Sequence, residues 1–210
     1  MQLIGLLDSP FVRRVAISLQ LLELPFEHRP ISVFRGFDAF HAINPVVKAP
    51  TLICDDGEVL LDSTLILEYA EALARPRTLM PARPQALQHA LRLIGLALAA
   101  CEKTAQIVYE RGLRPAEKYH EPWVARVKGQ LLAAYGGLEQ ELLRHSLETD
   151  EGRIDQASLT VAVAWTFTQH MLPEVVPASE HPALVAHAAS AERLAVFRAA
   201  PHGEGAVHRR

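Results

Sequence analysis

The segment from Asn44 to Tyr69 constrains the fold of this 210-residue chain more than any other stretch. Asp55-Asp56-Gly57 separates two short apolar runs, which is the strongest short-range signal for a β-hairpin. Asp62 and Ser63 then precede apolar residues at helical spacing: Leu65, Ile66, Tyr69 and Leu73. The segment therefore predicts a hairpin followed at once by a helix that Asp62 caps, with those four residues on its buried face.

The same segment carries groups that complement an α-amino acid. The first N–H groups of a helix have no partner within it and favour a carboxylate, while the Asp62 side chain can accept from an ammonium. Pro50 precedes the first strand, and because proline donates no ladder hydrogen bond, it leaves the Ala49 main chain available to another partner. A purely structural interpretation stays open, in which Asp62 and Ser63 only cap a helix and Pro50 only begins a strand.

The residues before this segment predict a small α/β unit. Gln2 to Leu7 and Phe26 to Ile31 are predicted strands, and Arg35 to Ile43 is predicted as a short helix. Between the two strands, Pro10 suits the first position of a helix that Ser9 caps. The buried stripe predicted for that helix consists of Val12, Val15, Ala16, Leu19 and Leu22.

Beyond a proline-rich step at Pro76, Pro81 and Pro84, the pattern is helical throughout. One helix is predicted from Pro84 to Gly112, and a partner begins at Pro122. The seam predicted for the first comprises Leu87, Leu91, Ile94, Leu98, Cys101, Ala105 and Val108, and that for the second Val124, Val127, Leu131, Ala134, Leu138 and Leu142. Asp155 caps a helix to Met171 that is apolar nearly all round and belongs in the middle of a bundle.

The C-terminal residues complete the helical part. Residues 183–200 supply one or two closing helices, and the tail after Pro201 is predicted to be disordered.

Composition excludes several classes of function. A net charge of -3 with scattered charges gives no electrostatic case for nucleic acid or a membrane surface. No apolar run is long enough to span a bilayer, and Met1 to Leu7 lacks the basic region of a signal peptide. Ten histidines are present, but their spacing suits no zinc site, so we expect no metal. Cys54 and Cys101 are expected to be packing residues in a reducing, cytoplasmic setting.

Ser9 is the residue most suited to chemistry. Its hydroxyl lies at the positive end of a helix dipole, where an adjacent anion is stabilised and a thiol has a lowered pKa. Ser9-Pro10-Phe11-Val12 contains no cysteine, so dithiol exchange is excluded and a reactive sulfur must arrive with the ligand.

The chain resembles the glutathione S-transferase superfamily. The resemblance rests on SPFVRRV at 9–15, KAPTL at 48–52 and LDSTLILEYAE at 61–71, followed by the proline-rich step. It looks most like the serine-type bacterial and plant members. The resemblance implies an α/β N-terminal thioredoxin-like domain at 1–75, which binds glutathione, a linker at 76–83, and an all-α C-terminal helical bundle at 84–210.

The resemblance also implies roles for individual residues. Ser9 would hydrogen-bond the glutathione thiolate, Pro50 would be a cis-proline, and the Ala49 main chain would pair with the cysteinyl residue. Asp62 and Ser63 would hold the γ-glutamyl amine and carboxylate, and Lys48 would reach the glycyl carboxylate. Phe11, Tyr109, Arg111 and Trp165 are candidates for the second-substrate pocket. Arg13 and Arg14 are expected to form a solvated helix face, although one of them could add positive potential to the thiolate.

The resemblance implies a cytoplasmic, homodimeric glutathione transferase in which the thiolate attacks a small electrophile, a detoxification reaction. Glutathione is then a co-substrate, and no metal is required. Two alternatives stay open: glutathione-dependent peroxide reduction, isomerisation or dehalogenation at the same site, or a non-catalytic binding protein of the same fold.

Overall fold

The computed structural model describes residues 1–208 and confirms the predicted fold class. The first part of the chain contains β1 (Gln2–Ile4), α1 (Pro10–Leu21), β2 (Glu27–Arg29), α2 (Phe37–Ile43), β3 (Thr51–Ile53), β4 (Val59–Leu61) and α3 (Ser63–Leu73). The remainder contains α4 (Pro84–Gly112), α5 (Glu121–Arg144), α6 (Gln156–Met171), α7 (Pro182–Ala191) and α8 (Ala195–Ala199). A small α/β part is thus followed by helices.

The chain folds as two compact units, and the first is discontinuous in sequence. Unit 1 comprises Met1–Met80 together with the segment from Arg193 onward, and unit 2 comprises Pro81–Glu192. The predicted boundaries 1–75 and 84–210 assign the segment from Arg193 onward to the helical part, whereas the compact units assign it to unit 1. Those boundaries stay a prediction about domains.

The sheet of unit 1 has the strand order β2-β1-β3-β4. β1 pairs with β2 in parallel, across the α1 crossover, whereas the β1–β3 and β3–β4 pairs are antiparallel. The predicted hairpin is confirmed, since the Cys54 N–H donates to the Glu58 carbonyl at 2.8 Å. Gly57 sits in this turn at a φ of 91°, which glycine adopts without strain. The sheet thereby brings the start of α1 and the loop before β3 to neighbouring strands.

Helix α1 is enclosed by unit 1 on nearly every side. The predicted stripe of Val12, Val15, Ala16, Leu19 and Leu22 is buried as expected. The expectation of a solvated face at Arg13 and Arg14 is wrong, because the two residues are only 1% and 2% exposed. The partners that surround them are distant in sequence, so no local pattern signals their burial.

Helix α3 buries a different face from the predicted one. Ser63, Ile66, Leu67 and Ala70 face the core, whereas Leu65 and Leu73 are 58% and 47% exposed and Tyr69 is 37% exposed. Both faces are apolar in sequence, and packing against α1 decides between them. Leu65, Tyr69 and Leu73 therefore form an exposed row one helical turn apart, which we call the α3 apolar row.

Residues 202–208 of the C-terminal tail pack within unit 1 instead of being disordered, and Arg209 and Arg210 lie outside the described residues. The His208 N–H donates to the Ala199 carbonyl at 2.8 Å, and the Val207 N–H donates to His28 Nδ1 at 3.1 Å. Glu204 forms an ion pair with Arg35. The prediction of disorder failed because these partners lie in β2 and in the loop before α2.

In unit 2, α4 packs against α5 and α6, and α7 packs against the same two helices. The seam predicted for α5 is confirmed in full. Of the seam predicted for α4, Ile94 and Cys101 are buried, whereas Leu91 is 52% exposed. The buried positions of α4 are Ala90, Leu93, Ile94, Ala97, Ala100, Cys101, Thr104, Ile107 and Glu110. Small residues dominate this stripe because a helix between two neighbours needs close approach on both sides.

Helix α6 lies in the middle of unit 2, with nearly every residue from Gln156 to Trp165 buried. Asp155 caps it as predicted, accepting from the Ser158 N–H at 2.8 Å. The Ser158 hydroxyl donates to the Glu148 carbonyl at 2.5 Å and not back to the cap, so only half of a capping box forms. Among the described residues, no helix is long and apolar enough to cross a membrane.

Candidate active site

Ser9 caps α1, but the capping hydrogen bond is weak. The Val12 N–H lies 3.5 Å from Ser9 Oγ, at the outer limit for a hydrogen bond, whereas the Asp155 cap of α6 is 2.8 Å long. The Ser9 hydroxyl proton has no acceptor within residues 1–208. The half-buried hydroxyl is therefore available to donate to a ligand at the positive end of the helix.

The loop between β1 and α1 approaches the loop that contains Pro50 at Gly5. A Cβ at Gly5 would come within 2.6 Å of Val12 Cγ2 and 3.1 Å of Ala49 Cβ, and φ is 136° there. Only glycine fits both the contact and the backbone conformation. Gly5 is not among the predicted site residues, although an isolated glycine within a predicted strand is a signal for a close backbone approach.

The peptide bond between Ala49 and Pro50 is cis, as the resemblance implies. Within the described residues, neither the Ala49 amide nor its carbonyl takes part in a hydrogen bond. The half-buried Ala49 main chain is thus available to an extended peptide, as the sequence analysis expected.

Asn44 and Thr51 hold this loop in place. The Asn44 amide donates to Thr51 Oγ1 at 2.9 Å, and the Thr51 hydroxyl donates to the Lys48 carbonyl at 2.7 Å. Asn44 also accepts from the Val46 N–H at 3.0 Å. Asn44-Pro45 directly follows the predicted helix, and an Asn-Pro pair favours a turn that such an amide stabilises.

Asp62 caps α3 in an unusual backbone conformation. Its carboxylate accepts from the Thr64 N–H at 2.9 Å, and its φ and ψ are 70° and 124°. This lies outside the left-handed helical region that aspartate tolerates, and such strain is concentrated at functional sites. Lys48 Nζ lies 3.9 Å from Asp62 Oδ2, and the two side chains are 52% and 47% exposed. The ion pair is therefore weak, and both groups can meet a ligand.

Ser63 is the first residue of α3 and is 3% exposed. Its Oγ accepts from Arg14 Nη1 at 3.2 Å, and its hydroxyl proton has no acceptor in the described part of the chain. Asp62 and Ser63 thus offer an acceptor and a donor side by side, the pair of groups that an α-amino acid requires.

Asp8 directly precedes Ser9, and its surroundings have opposing effects on the pKa of its carboxyl. Burial raises the pKa of the Asp8 carboxyl above its usual range, and nearby Glu204 acts in the same direction. The Ser9 backbone N–H bonded to Asp8, and the Arg35 charge, act in the opposite direction. An anion beside Ser9 would therefore rely on the hydroxyl and the helix dipole to offset the Asp8 charge.

The four candidates for a second-substrate pocket lie in different surroundings. Phe11 is half-buried on α1, and Tyr109 is 48% exposed near the end of α4. Arg111 pairs with Glu174 at 2.6 Å, a contact that raises the arginine pKa. Trp165 is 4% exposed, with its ring edge-on to Tyr135 at 5.3 Å between centroids. That the four line one pocket stays a prediction.

A cavity of about 420 Å³ in unit 1 is separate from the predicted site. Its lining includes Glu23, Phe26, His28 and Val207, and none of the predicted site residues. Among residues 1–208, no cluster of three or more His, Cys, Asp or Glu side chains could hold a metal ion. Of the predicted glutathione-binding residues, Lys48 and Asp62 are about half exposed, whereas Pro50 and Ser63 are buried.

Comparisons with known proteins agree with this architecture. Residues 3–78 match the family model of the glutathione S-transferase N-terminal domain. The chain is similar to the uncharacterized GST-like protein YibF of Escherichia coli, with 26% identity over 82% of this chain and 85% of that protein. It is also similar to maleylacetoacetate isomerase of Pseudomonas aeruginosa, with 28% identity over 58% of this chain and 61% of that protein.

A similar solved structure is that of a glutathione transferase family member from Pseudomonas fluorescens Pf-5 with bound glutathione. It has a TM-score of 0.78 and 28% identity, over 95% of this chain and 97% of that one. The matched N-terminal domain, the relatives and the common fold thus show that the chain is similar to members of the glutathione S-transferase superfamily, and that residues 3–78 match its N-terminal domain.

Proposed function

We propose that this protein is a serine-type glutathione transferase that binds glutathione on unit 1 and keeps its sulfur ionised beside Ser9. One observation carries the proposal. A hydroxyl at the start of α1, whose proton has no acceptor within the described residues, belongs to the same compact unit as the Asp62–Ser63 pair at the start of α3.

Ser9 has the central role in this proposal. Its hydroxyl donates to an anionic sulfur, and the dipole of α1 adds to the stabilisation, so a thiol placed there has a lowered pKa. Glutathione supplies the nucleophilic sulfur that attacks the electrophile. Much of the remaining rate advantage comes from holding the two reactants together.

The other residues position the peptide. Asp62 Oδ2 accepts from the γ-glutamyl ammonium, and the Ser63 hydroxyl donates to the neighbouring carboxylate. Lys48 turns from Asp62 to the glycyl carboxylate, which costs little because the present ion pair is long and exposed. The Ala49 main chain, held by the Asn44–Thr51 hydrogen bonds, pairs with the cysteinyl residue beside Pro50. The similarity to the Pseudomonas fluorescens protein with bound glutathione supports this assignment.

Calorimetric titration with glutathione tests the proposal, combined with a pH titration of the ultraviolet absorbance of the bound thiolate. We expect saturable binding at one site per chain and a thiol pKa below that of free glutathione. Absence of binding would overturn the proposal. Binding without turnover on a panel of electrophiles and peroxides would indicate a non-catalytic binding protein of this fold.

A glutathione-dependent isomerase is the second candidate, because the chain is similar to maleylacetoacetate isomerase of Pseudomonas aeruginosa. The two activities differ in whether glutathione is consumed. A transferase consumes one glutathione for each product, whereas an isomerase returns it unchanged. Assays of free thiol during turnover of aryl halides and of cis-configured diketo acids separate them.

We also propose that the chain forms a homodimer through the α3 apolar row. The row exposes Leu65, Tyr69 and Leu73 on one helix face, and an apolar surface of this kind favours association with a second copy. Leu65→Asp should convert the dimer to a monomer in sedimentation equilibrium. Leu143→Asp, which changes a leucine in α5 that is 67% exposed, is the matched control and should leave the dimer intact. A parent protein that sediments as a monomer would contradict the proposal.

A further inference from the structure

Arg14 and Arg13 are adjacent on α1 and equally buried, yet their contacts differ. Arg13 Nε donates to the Ala200 carbonyl at 2.8 Å, and its guanidinium lies 5.4 Å from the centre of the Phe197 ring. Arg14 Nη1 donates to Ser63 Oγ at 3.2 Å and lies 3.4 Å from Thr64 Oγ1. Arg13 therefore ties α1 to α8, whereas Arg14 ties α1 to the first turn of α3.

The contact with Arg14 determines how the Ser63 hydroxyl can act. An arginine has donors only, so Ser63 Oγ is the acceptor in this hydrogen bond. The Ser63 proton must then point away from Arg14, and it has no acceptor within residues 1–208. Accepting a hydrogen bond from a cation also makes a hydroxyl a stronger donor.

The charge of Arg14 favours an anion at the same place. A guanidinium stays protonated at any pH at which the protein is folded, and this one is 2% exposed. It lies beside the N-terminus of the eleven-residue helix α3, which carries a partial positive charge of its own. The positive potential at the start of α3 therefore comes from the helix and from Arg14 together.

We propose that Arg14 is a positioning residue that makes the start of α3 selective for the α-carboxylate of the γ-glutamyl group. This inference rests on the proposed function, since it concerns the end of glutathione that Asp62 and Ser63 receive. Arg14 acts through Ser63, orienting its hydroxyl and supplying positive potential behind it, and does not touch the ligand.

The test compares glutathione with 4-aminobutyryl-cysteinylglycine, an analogue that lacks only the α-carboxylate. Titration calorimetry gives the ratio of the two dissociation constants. We expect the parent protein to prefer glutathione, and Arg14→Gln to reduce that preference about tenfold, in line with one charge-assisted hydrogen bond. Arg14→Lys keeps the positive charge but loses the planar set of guanidinium donors. It should therefore show a preference for glutathione between those of the parent protein and Arg14→Gln.

Arg13→Lys is the matched control. It changes a neighbouring guanidinium of the same burial, so it should lower the melting temperature while leaving the ratio of dissociation constants unchanged. An equal loss of preference in the Arg13 and Arg14 variants would mean that general damage to α1 explains the effect, and would overturn the inference.

A double-mutant cycle applies even if Arg14→Gln fails to fold. If Arg14 acts through Ser63, the losses of preference in Arg14→Lys and Ser63→Ala are non-additive, and additive losses would contradict the inference. A parent protein that binds neither peptide would refute the proposed function. A parent that prefers glutathione, with Arg14 variants that keep the preference, would refute only the role of Arg14.

Discussion

The two units both bury polar side chains, but the resulting networks end in different places. In unit 2, the Tyr135 hydroxyl lies 2.6 Å from Thr168 Oγ1 and 2.9 Å from the Ala164 carbonyl, and Thr104 lies 2.8 Å from Thr168. The side chains of this network are fully buried. In unit 1, the buried guanidinium of Arg14 reaches the buried Ser63 and the exposed Thr64 at the start of α3.

This difference separates stability from recognition. A closed buried network satisfies its own donors and acceptors and stabilises the fold. Burial raises the pKa of Tyr135 well above its usual range, so this ring remains a neutral donor. A network that leads to the surface leaves a hydrogen bond for a ligand. Substitutions in the Arg14–Ser63 network of unit 1 should therefore change activity, and those in the Tyr135–Thr168 network of unit 2 should change stability.

The largest effect is expected for Ser9→Ala. If Ser9 stabilises the sulfur anion as proposed, loss of its hydroxyl should lower kcat/KM for conjugation by about 10²–10³-fold, as for other donors to a reacting anion. Glutathione should still bind. The free energy of unfolding should change by less than about 0.5 kcal/mol, because the capping bond is already 3.5 Å long.

Ser158→Ala is the matched control in unit 2. Its hydroxyl donates to the Glu148 carbonyl in a buried position, so its loss should cost about 1 kcal/mol of unfolding free energy without changing kcat/KM. Unchanged turnover in Ser9→Ala would show that Ser9 does not stabilise the sulfur anion. It would also contradict the division between activity in unit 1 and stability in unit 2.

The second largest effect is expected for the substitution of Glu139 in unit 2. This carboxylate is 6% exposed and accepts from the Ala183 and Leu184 N–H groups, 2.8 and 2.9 Å away, at the start of α7. Glu139→Ala should lower the free energy of unfolding by about 2–3 kcal/mol, measured by urea denaturation, because buried N–H groups lose a charged acceptor. Activity of the folded enzyme should be unchanged.

Glu102→Ala provides the control, since the Glu102 side chain is 58% exposed. We expect it to alter the unfolding free energy by less than about 0.5 kcal/mol. If Glu139→Ala lowered kcat/KM at a temperature where the protein stays folded, the polar contacts of unit 2 would not be purely structural.

The smallest effect is a pH dependence to which each unit contributes one histidine. Burial lowers the pKa of both His28 and His187. For His28 the hydrogen bond to the Gly5 carbonyl partly opposes this effect, and for His187 the Ser158 carbonyl and the Asp155 charge do so. The unfolded chain then binds more protons as the pH falls below about 6.5, so stability is complete above that pH and decreases below it. Each ring contributes at most about 1.4 kcal/mol per pH unit.

Urea denaturation at pH 7 and pH 5 measures this loss. His28→Gln and His187→Gln should each reduce it, and the double variant should reduce it further. If both single variants lost as much stability as the parent protein, carboxylates would account for the acid sensitivity instead.

Local features of this chain were predictable from sequence. The caps at Ser9, Asp62 and Asp155 depend on residues within a few positions of one another, and so does the turn at Gly57. Proline and glycine also mark the ends of α4, which begins and ends at the predicted residues. In each case the partner of a residue lies close to it in the chain.

Features set by distant partners were not predictable. Leu65 and Leu67 are equally apolar, and only packing in unit 1 decides that Leu67 is buried. Arg13 and Arg14 read as solvated charges because their acceptors lie 187 and 49 residues away. The roles of the site residues came from a family resemblance. Gly5 and Asn44 carry only local signals, for a close backbone approach and for a turn, and these do not show which site the residues support.

The return of the C-terminal segment to unit 1 has a consequence during synthesis. When a ribosome has made Met1–Met80, the Ala200 carbonyl and the Phe197 ring that receive Arg13 do not yet exist. The nascent α/β segment therefore lacks these two contacts of Arg13 until translation has passed residue 200. An excised fragment of residues 1–80 would lack them permanently, and a synthetic peptide of residues 193–208 is the piece that would restore them.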